Sequence, residues 1–300
     1  MLVVLGIDAL DHEHVDRFGT ENLRLSNSTP IETFSYMKDQ PYTLEVWPTV
    51  ATGLHPSRHG VTGGNTSEWD NPIVDALSGV TAALGGNTRD KLGSVAESLT
   101  GATYSIPETE ADHIFDRPGR VVHNWPGVHN SRELERVWEL SDPAESGGSV
   151  AEFERAVYGI GAEQFGWVEE MTRHDLSLVG CHVHTLDLCG HVFRNDKERY
   201  RRSYEWMDDH VGRVRDALGP DDDLLILSDH GIHTSWDSSD VEPSRHSLRA
   251  MAATTHHRSL FTDVYDAREW IEAVVDPVSD PEEGESLDAP TDRLEDLGYI

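Results

Sequence analysis

Three short apolar runs in this chain end in side chains that bind cations. Leu2–Ile7 is followed by Asp8. The run 176–183 is followed by His184-Thr185-Leu186-Asp187-Leu188-Cys189-Gly190-His191, and the run 224–227 by Ser228-Asp229-His230-Gly231. Carboxylates mixed with imidazoles suit Zn²⁺ or Mn²⁺, whereas Mg²⁺ alone favours oxygen ligands. A set of this size is too large for one tetrahedral ion. It suits two ions roughly 4 Å apart, clamping the attacking and leaving oxygens of an in-line displacement.

Such a displacement needs a nucleophile. Residues 42–53 read Tyr42-Thr43-Leu44-Glu45-Val46-Trp47-Pro48-Thr49-Val50-Ala51-Thr52-Gly53, and Leu54-His55-Pro56-Ser57-Arg58-His59-Gly60-Val61 follow. Taken alone this is a loop, a short helix and a turn. A threonine at a helix start has its hydroxyl beside backbone N–H groups that favour anions. A cation at that point would lower the hydroxyl pKa and activate it.

These residues act together only if strands bring them to one place. In open α/β sheets, ligands bind at the carboxyl ends of the strands. Four runs read as buried strands: Leu2–Ile7, 176–183, 224–227 and Ala250–Thr254. Between the second and third, Tyr204, Met207, Val211, Val214 and Leu218 recur at helical spacing, and Gly219-Pro220 ends the helix expected over 197–218. Strand, helix, strand implies a parallel βαβ unit. The stretch 62–173 is rich in Gly, Asn, Ser and Asp, with helical pieces at 131–140 and 151–172. It reads as a cap or insertion within a single domain spanning 1–300. Residues 277–290 read as an acidic linker, and 291–300 as a short amphipathic helix.

Composition narrows the partners. Asp and Glu number 55 against 24 Lys plus Arg, for a formal charge of −31. The acids are spread between apolar runs, which argues against a disordered acidic tail. At molar salt the Debye length falls to about 3 Å, so a carboxylate surface no longer repels itself. Lysine occurs only at Lys38, Lys91 and Lys197. This balance resembles proteins of salt-accumulating haloarchaea and predicts a cytoplasmic protein that loses stability when salt is removed. Nucleic-acid backbones would be repelled, so nucleic-acid binding is not expected as the main function. The N-terminus has no basic region and reads as a first strand, and no apolar stretch approaches the length of a membrane span. Cys181 and Cys189 make no disulfide framework.

The order of these motifs resembles the alkaline phosphatase superfamily, and within it the type I phosphodiesterase/nucleotide pyrophosphatase branch. That pattern has an early Asp after the first strand and a Thr or Ser nucleophile nine residues before the Thr of TG-x-x-P-x-x-HG-[IV]. D-x-x-GH, S-DHG and a final His before a strand follow. Here Thr52 opens TGLHPSRHGV and Thr43 stands nine residues earlier; Asp187 and His191 match D-x-x-GH, and Asp229 and His230 match S-DHG. The resemblance covers roughly 1–65 and 175–300, and the ending 293–299 is also similar to one frequent in these enzymes.

The resemblance implies a three-layer α/β sandwich, a mostly parallel sheet flanked by helices. It implies a hydrolase of small anionic phosphate esters, acting through a phospho-enzyme on Thr43. One metal would take Asp8, Thr43, Asp229 and His230; the other would take Asp187, His191 and a final His. His246 precedes the run Ala250–Thr254 and is preferred for that last ligand, with His256 and His257 as the alternative. Asn65 is the candidate for a phosphate oxygen, although Gly63-Gly64 lengthens the spacing. Sulfatases carry C/S-x-P-x-R, which Thr43-Leu44-Glu45-Val46-Trp47 lacks, so sulfate or phosphomonoester hydrolysis ranks second. A silent metal-stabilised binding protein ranks third. His182 and His184 read as core, with His184 able to support a ligand from behind. His12, His14, His113, His123, His129 and His174 read as surface.

Overall fold

The computed structural model describes residues 1–62, 107–129, 136, 140, 148–237 and 240–275. Asn65, most of the helical piece at 131–140, the stretch 277–290 and the helix expected at 291–300 lie outside the described residues. In chain order the strands are β1 (Leu2–Ile7), β2 (Asn27–Ile31), β3 (Arg120–His123), β4 (Leu178–Val183), β5 (Asp223–Leu227), β6 (Gly231–Ile232), β7 (His246–Ser247) and β8 (Ala250–Thr254). The helices are α1 (His12–Phe18), α2 (Thr43–Thr52), α3 (Pro56–His59), α4 (Val150–Met171), α5 (Thr185–Phe193), α6 (Lys197–Ala217) and α7 (Ala267–Val274).

Six strands form one sheet in the order β2-β8-β5-β1-β4-β3. β1 runs parallel to both its neighbours, β4 and β5, and β3 runs parallel to β4. β8 is antiparallel to β5 and to β2, so the sheet is mixed only toward that edge. The unit β4–α5–α6–β5 is the parallel crossover expected from the sequence, with β1 lying between its two strands.

Strand alternation divides the core into two layers. Val3, Leu5 and Ile7 of β1 face one cluster, with Val179, Cys181 and Val183 of β4, Leu224 and Ile226 of β5, and side chains of α1, α4, α5 and α6. Leu2 and Val4 face the other, with Leu178, Leu225, Leu227, and side chains of α2 and α7. The sheet is thus the middle layer of three. β3 and α4 fall within 62–173 and belong to the sheet and to its helical cover.

Helix α2 is buried along its whole length, as a helix that is apolar on most sides must be. Gly53 ends it at φ 66°, its N–H returned to the Thr49 carbonyl. Its Trp47 ring lies against Gly6 of β1 so closely that a Cβ there would meet the ring at 2.7 Å. The glycine lets the helix that begins at Thr43 sit directly on the central strand.

His14 corrects one expectation, because it is fully buried. On α1 it turns inward against the edges of Tyr200 and Tyr204 and stacks on Phe18. Its Nε2 is 3.3 Å from Asp237 Oδ1. One short amphipathic turn does not disclose which helical face a distant carboxylate will meet. Arg249 completes the network, donating to Asp11 (2.6 Å) and to Asp237 (3.1 Å). Burial would raise the Asp237 carboxyl, but the His14 contact, the Thr234 N–H and Arg249 outweigh it and hold it well below the usual range.

A carboxyl depressed in the fold stabilises it above its unfolded pKa of about 4 and loses that contribution as pH falls further. Asp237→Asn is therefore expected to cost about 2 kcal/mol at neutral pH. The gap from wild type should close as pH drops from about 5 toward 2, as measured by urea unfolding at constant high salt.

Candidate metal centre

The carboxyl ends of β5, β1 and β4 lie side by side, and each carries expected site residues. Asp8 follows β1. Asp187 and His191 stand four residues apart on α5, which puts them on one face of that helix. Asp229 and His230 follow β5. His246 opens β7 and pairs across the two-stranded ribbon with Ile232 of β6. The ribbon folds His246 back over His230, the rings stacked at 3.8 Å.

Six of these residues form two triads. His191 Nε2 and His246 Nε2 are each 3.3 Å from Asp187 Oδ1 and 3.2 Å from one another. His230 Nε2 is 3.3 Å from Asp8 Oδ1 and 3.2 Å from Asp229 Oδ2. The potential ligand atoms of each triad lie within 4.8 Å of one another. A tetrahedral ion with bonds of about 2.0 Å spaces its ligand atoms about 3.3 Å apart.

The proton positions make these triads a test of fit. His230 Nδ1 is 3.0 Å from the Gly231 carbonyl and His246 Nδ1 is 2.8 Å from the Pro41 carbonyl. A carbonyl only accepts, so each Nδ1 carries a proton, and Nε2 of either ring, when neutral, offers its lone pair to the site. Asp8 Oδ1, Asp187 Oδ1, Asp229 Oδ2 and His230 Nε2 are buried and make no hydrogen bond. Acceptors thus face acceptors at both places, an arrangement that suits a cation between them.

The titration of these groups has the same cause. Burial pushes Asp229 well above the usual carboxylate range, and Asp8 and Asp187 push it further. Burial and the charge of His246 take His230 down to about 3. Burial opposes charge on His246 too, but Asp187 outweighs it and raises that ring. Crowded buried carboxylates draw positive charge into the site.

Asp8 and Asp187 spend their other oxygens on His184. Its Nδ1 is 2.6 Å from Asp8 Oδ2 and its Nε2 is 3.1 Å from Asp187 Oδ2. Burial opposes charge on this ring, yet the two carboxylates raise it to about 10. One buried imidazole therefore ties the triads together. His182 Nε2 also reaches Asp8 Oδ2, at 3.1 Å, and Asn124 Nδ2 donates to the His182 carbonyl. Asn124 was not legible as part of the site. For His182 and His184 a signal existed: residues two apart at a strand end share a side, here the side of Asp8.

Thr43 opens α2 and is 4% exposed. The strap before it grips β7: Gln40 Oε1 accepts from His246 N–H at 3.1 Å, and Pro41 supplies the carbonyl for His246 Nδ1. The nucleophile candidate is thus two residues from a direct contact with the His246 ring. His256 and His257 lie elsewhere. They follow β8, whose end pairs with the start of β5, and His256 Nε2 is 3.9 Å from Asp223 at the amino end of β5, opposite the site.

This chain is a phosphoric ester hydrolase. It belongs to the type I phosphodiesterase/nucleotide pyrophosphatase family, whose sequence pattern matches residues 2–243. No curated protein matches it in sequence. Among solved structures it is similar to alkaline phosphatase from the Antarctic bacterium TAB5, at 13% identity and a TM-score of 0.46, over 91% of this chain and 96% of that one. It is also similar to Leishmania mexicana phosphoglycerate mutase, at 13% identity and a TM-score of 0.32, over 41% of this chain and 27% of that one. No helix among the described residues is long and apolar enough to cross a membrane.

Proposed function

We propose that the protein hydrolyses phosphodiesters or nucleotide pyrophosphates with Thr43 as nucleophile and two divalent ions, Zn²⁺ first and Mn²⁺ or Mg²⁺ otherwise. Asp8, Thr43, Asp229 and His230 hold one ion; Asp187, His191 and His246 hold the other. The observation that carries this reading is the convergence of buried acceptors in both triads, with Nδ1–H of His230 and His246 committed to backbone carbonyls. Ions bound there would neutralise phosphoryl oxygens and lower the pKa of a nearby hydroxyl.

The chain's own groups account for the rest. Thr43 is the first residue of α2, and the first N–H groups of a helix lack helical partners, which favours an anionic phosphoryl group there. Thr43 Oγ1 gives up its proton and forms a bond to phosphorus, and the ester oxygen departs as the alcohol, with a proton in its place. Water then breaks the Oγ1–phosphorus bond, its hydroxyl going to phosphorus and its proton to Oγ1, which releases the phosphate monoester and restores the hydroxyl. His184 holds Asp8 and Asp187 apart at a fixed spacing. Asn65 is assigned to a substrate oxygen. The acidic, lysine-poor composition supports a cytoplasm of high salt, as in haloarchaea.

Diesterase specificity is tested in molar KCl with Zn²⁺ or Mn²⁺, comparing a bis-aryl phosphate, an aryl phosphate, an aryl sulfate and a dinucleotide. The diesters are expected to turn over fastest. A preference for the monoester or the sulfate would overturn the choice of substrate while leaving the two-ion site standing.

A further inference from the structure

Three imidazoles turn Nε2 into the triads. For His230 and His246 the outer nitrogen rests on a backbone carbonyl. For His191 it rests on a side chain, with Nδ1 2.6 Å from Ser244 Oγ. That hydroxyl is held by an unusual backbone. His233 N–H donates to the Arg245 carbonyl (2.8 Å), and Ser244 N–H donates to the His233 carbonyl (2.7 Å). Two residues of one strand thus face one of the other, which is a β-bulge beside the β6–β7 ribbon. Its first residue, Ser244, has φ 87°, a conformation for which glycine is the ordinary choice at this bulge position.

We infer that Ser244 is a positioning residue for the metal centre: its hydroxyl fixes the ring orientation of His191, and the bulge is strained to deliver it. A glycine would relieve the backbone and lose the hydrogen bond. A non-glycine residue at such a φ persists when the surroundings over-determine it, and such outliers gather at functional sites. Here the surroundings are Arg245 and His246, the next two residues, both clasped by the strap. Arg245 pairs with Asp39, and His246 with Gln40 and Pro41. The inference rests on the assignment of His191 as an ion ligand.

The test is chelator competition for Zn²⁺, together with melting of the metal-free protein, for wild type, Ser244→Gly, Ser244→Ala and His191→Ala in molar KCl. Both Ser244 variants are expected to release one of the two ions 10–100-fold more readily, the size of effect seen when a ligand's outer hydrogen bond is removed. The second ion should be held as in wild type. Metal-free Ser244→Gly should melt at or above wild type, and Ser244→Ala below Ser244→Gly, because alanine keeps the strain. If His191→Ala loosens one ion while both Ser244 variants hold both ions at wild-type affinity, the positioning role is overturned. If His191→Ala loosens neither ion, the ligand assignment itself fails. Metal-free Ser244→Gly melting below Ser244→Ala would refute the strain.

Discussion

Thr43→Ala is expected to reduce kcat by about 1,000-fold or more, with both ions still bound and the fold retained. The expectation follows from where the residue sits. Thr43 is the first residue of α2 rather than its cap, and Tyr42 holds the cap position without a side-chain hydrogen bond. Alanine is a good helix former, so the helix itself should survive the change. Asp8, Asp229 and His230 come from the ends of β1 and β5 and stay in place, because parallel pairing with the core fixes those strands. What is lost is the hydroxyl, and with it the covalent route. Thr43→Ser restores a hydroxyl at the same place and should return activity to within about tenfold of wild type. Rapid quench with a slow diester, followed by peptide mapping, should find a phosphoryl group on Thr43 in wild type and none in the alanine variant. An alanine variant keeping a tenth of wild-type turnover would remove Thr43 from the chemistry.

Removing the ions should abolish activity and weaken the fold together. Asp8, Asp187 and Asp229 are all buried, and His184 bridges only the first two. Without a cation the remaining oxygens and the His230 lone pair face one another unpaired. Leaving buried charge uncompensated in this way costs about 3–5 kcal/mol. For a chain of this size that is a fall in melting temperature of about 5 °C or more. The measurement is thermal melting after dialysis against a chelator in molar KCl, so that surface repulsion stays screened and the site alone is probed. Restoring Zn²⁺ or Mn²⁺ should return both stability and turnover. A protein whose melting is unchanged by chelation would not have ions in these triads.

Much of this was open to reading from the chain alone, and the reason is local. Strands β1 and β8 have the expected bounds, while β4 and β5 begin within two residues of them. An apolar run bounded by polar residues specifies a buried strand without reference to anything distant. The helix that starts at Thr43 follows from sequence spacing in the same way. So does the acidic surface, which depends on composition only. Helix α5, by contrast, which makes Asp187 and His191 an i, i+4 pair, reads from the sequence only as the residues after a strand.

Other features required the folded chain. The order β5-β1-β4 is what sets Asp229, Asp8 and Asp187 side by side, and that order arises from pairings between residues more than 170 positions apart. The position of His246 follows from a two-stranded ribbon and from the strap at 39–41, whose grip no periodicity announces. His14 and Asp237 meet across the fold, as do His184 and Asp8. Ser244 looks like any turn serine until its φ is known. Sequence by itself determined which residues could bind a cation and that most of them follow a buried strand. Tertiary structure decided which of their atoms face one another, because hydrogen-bond direction and tautomer are set by neighbours distant in the chain.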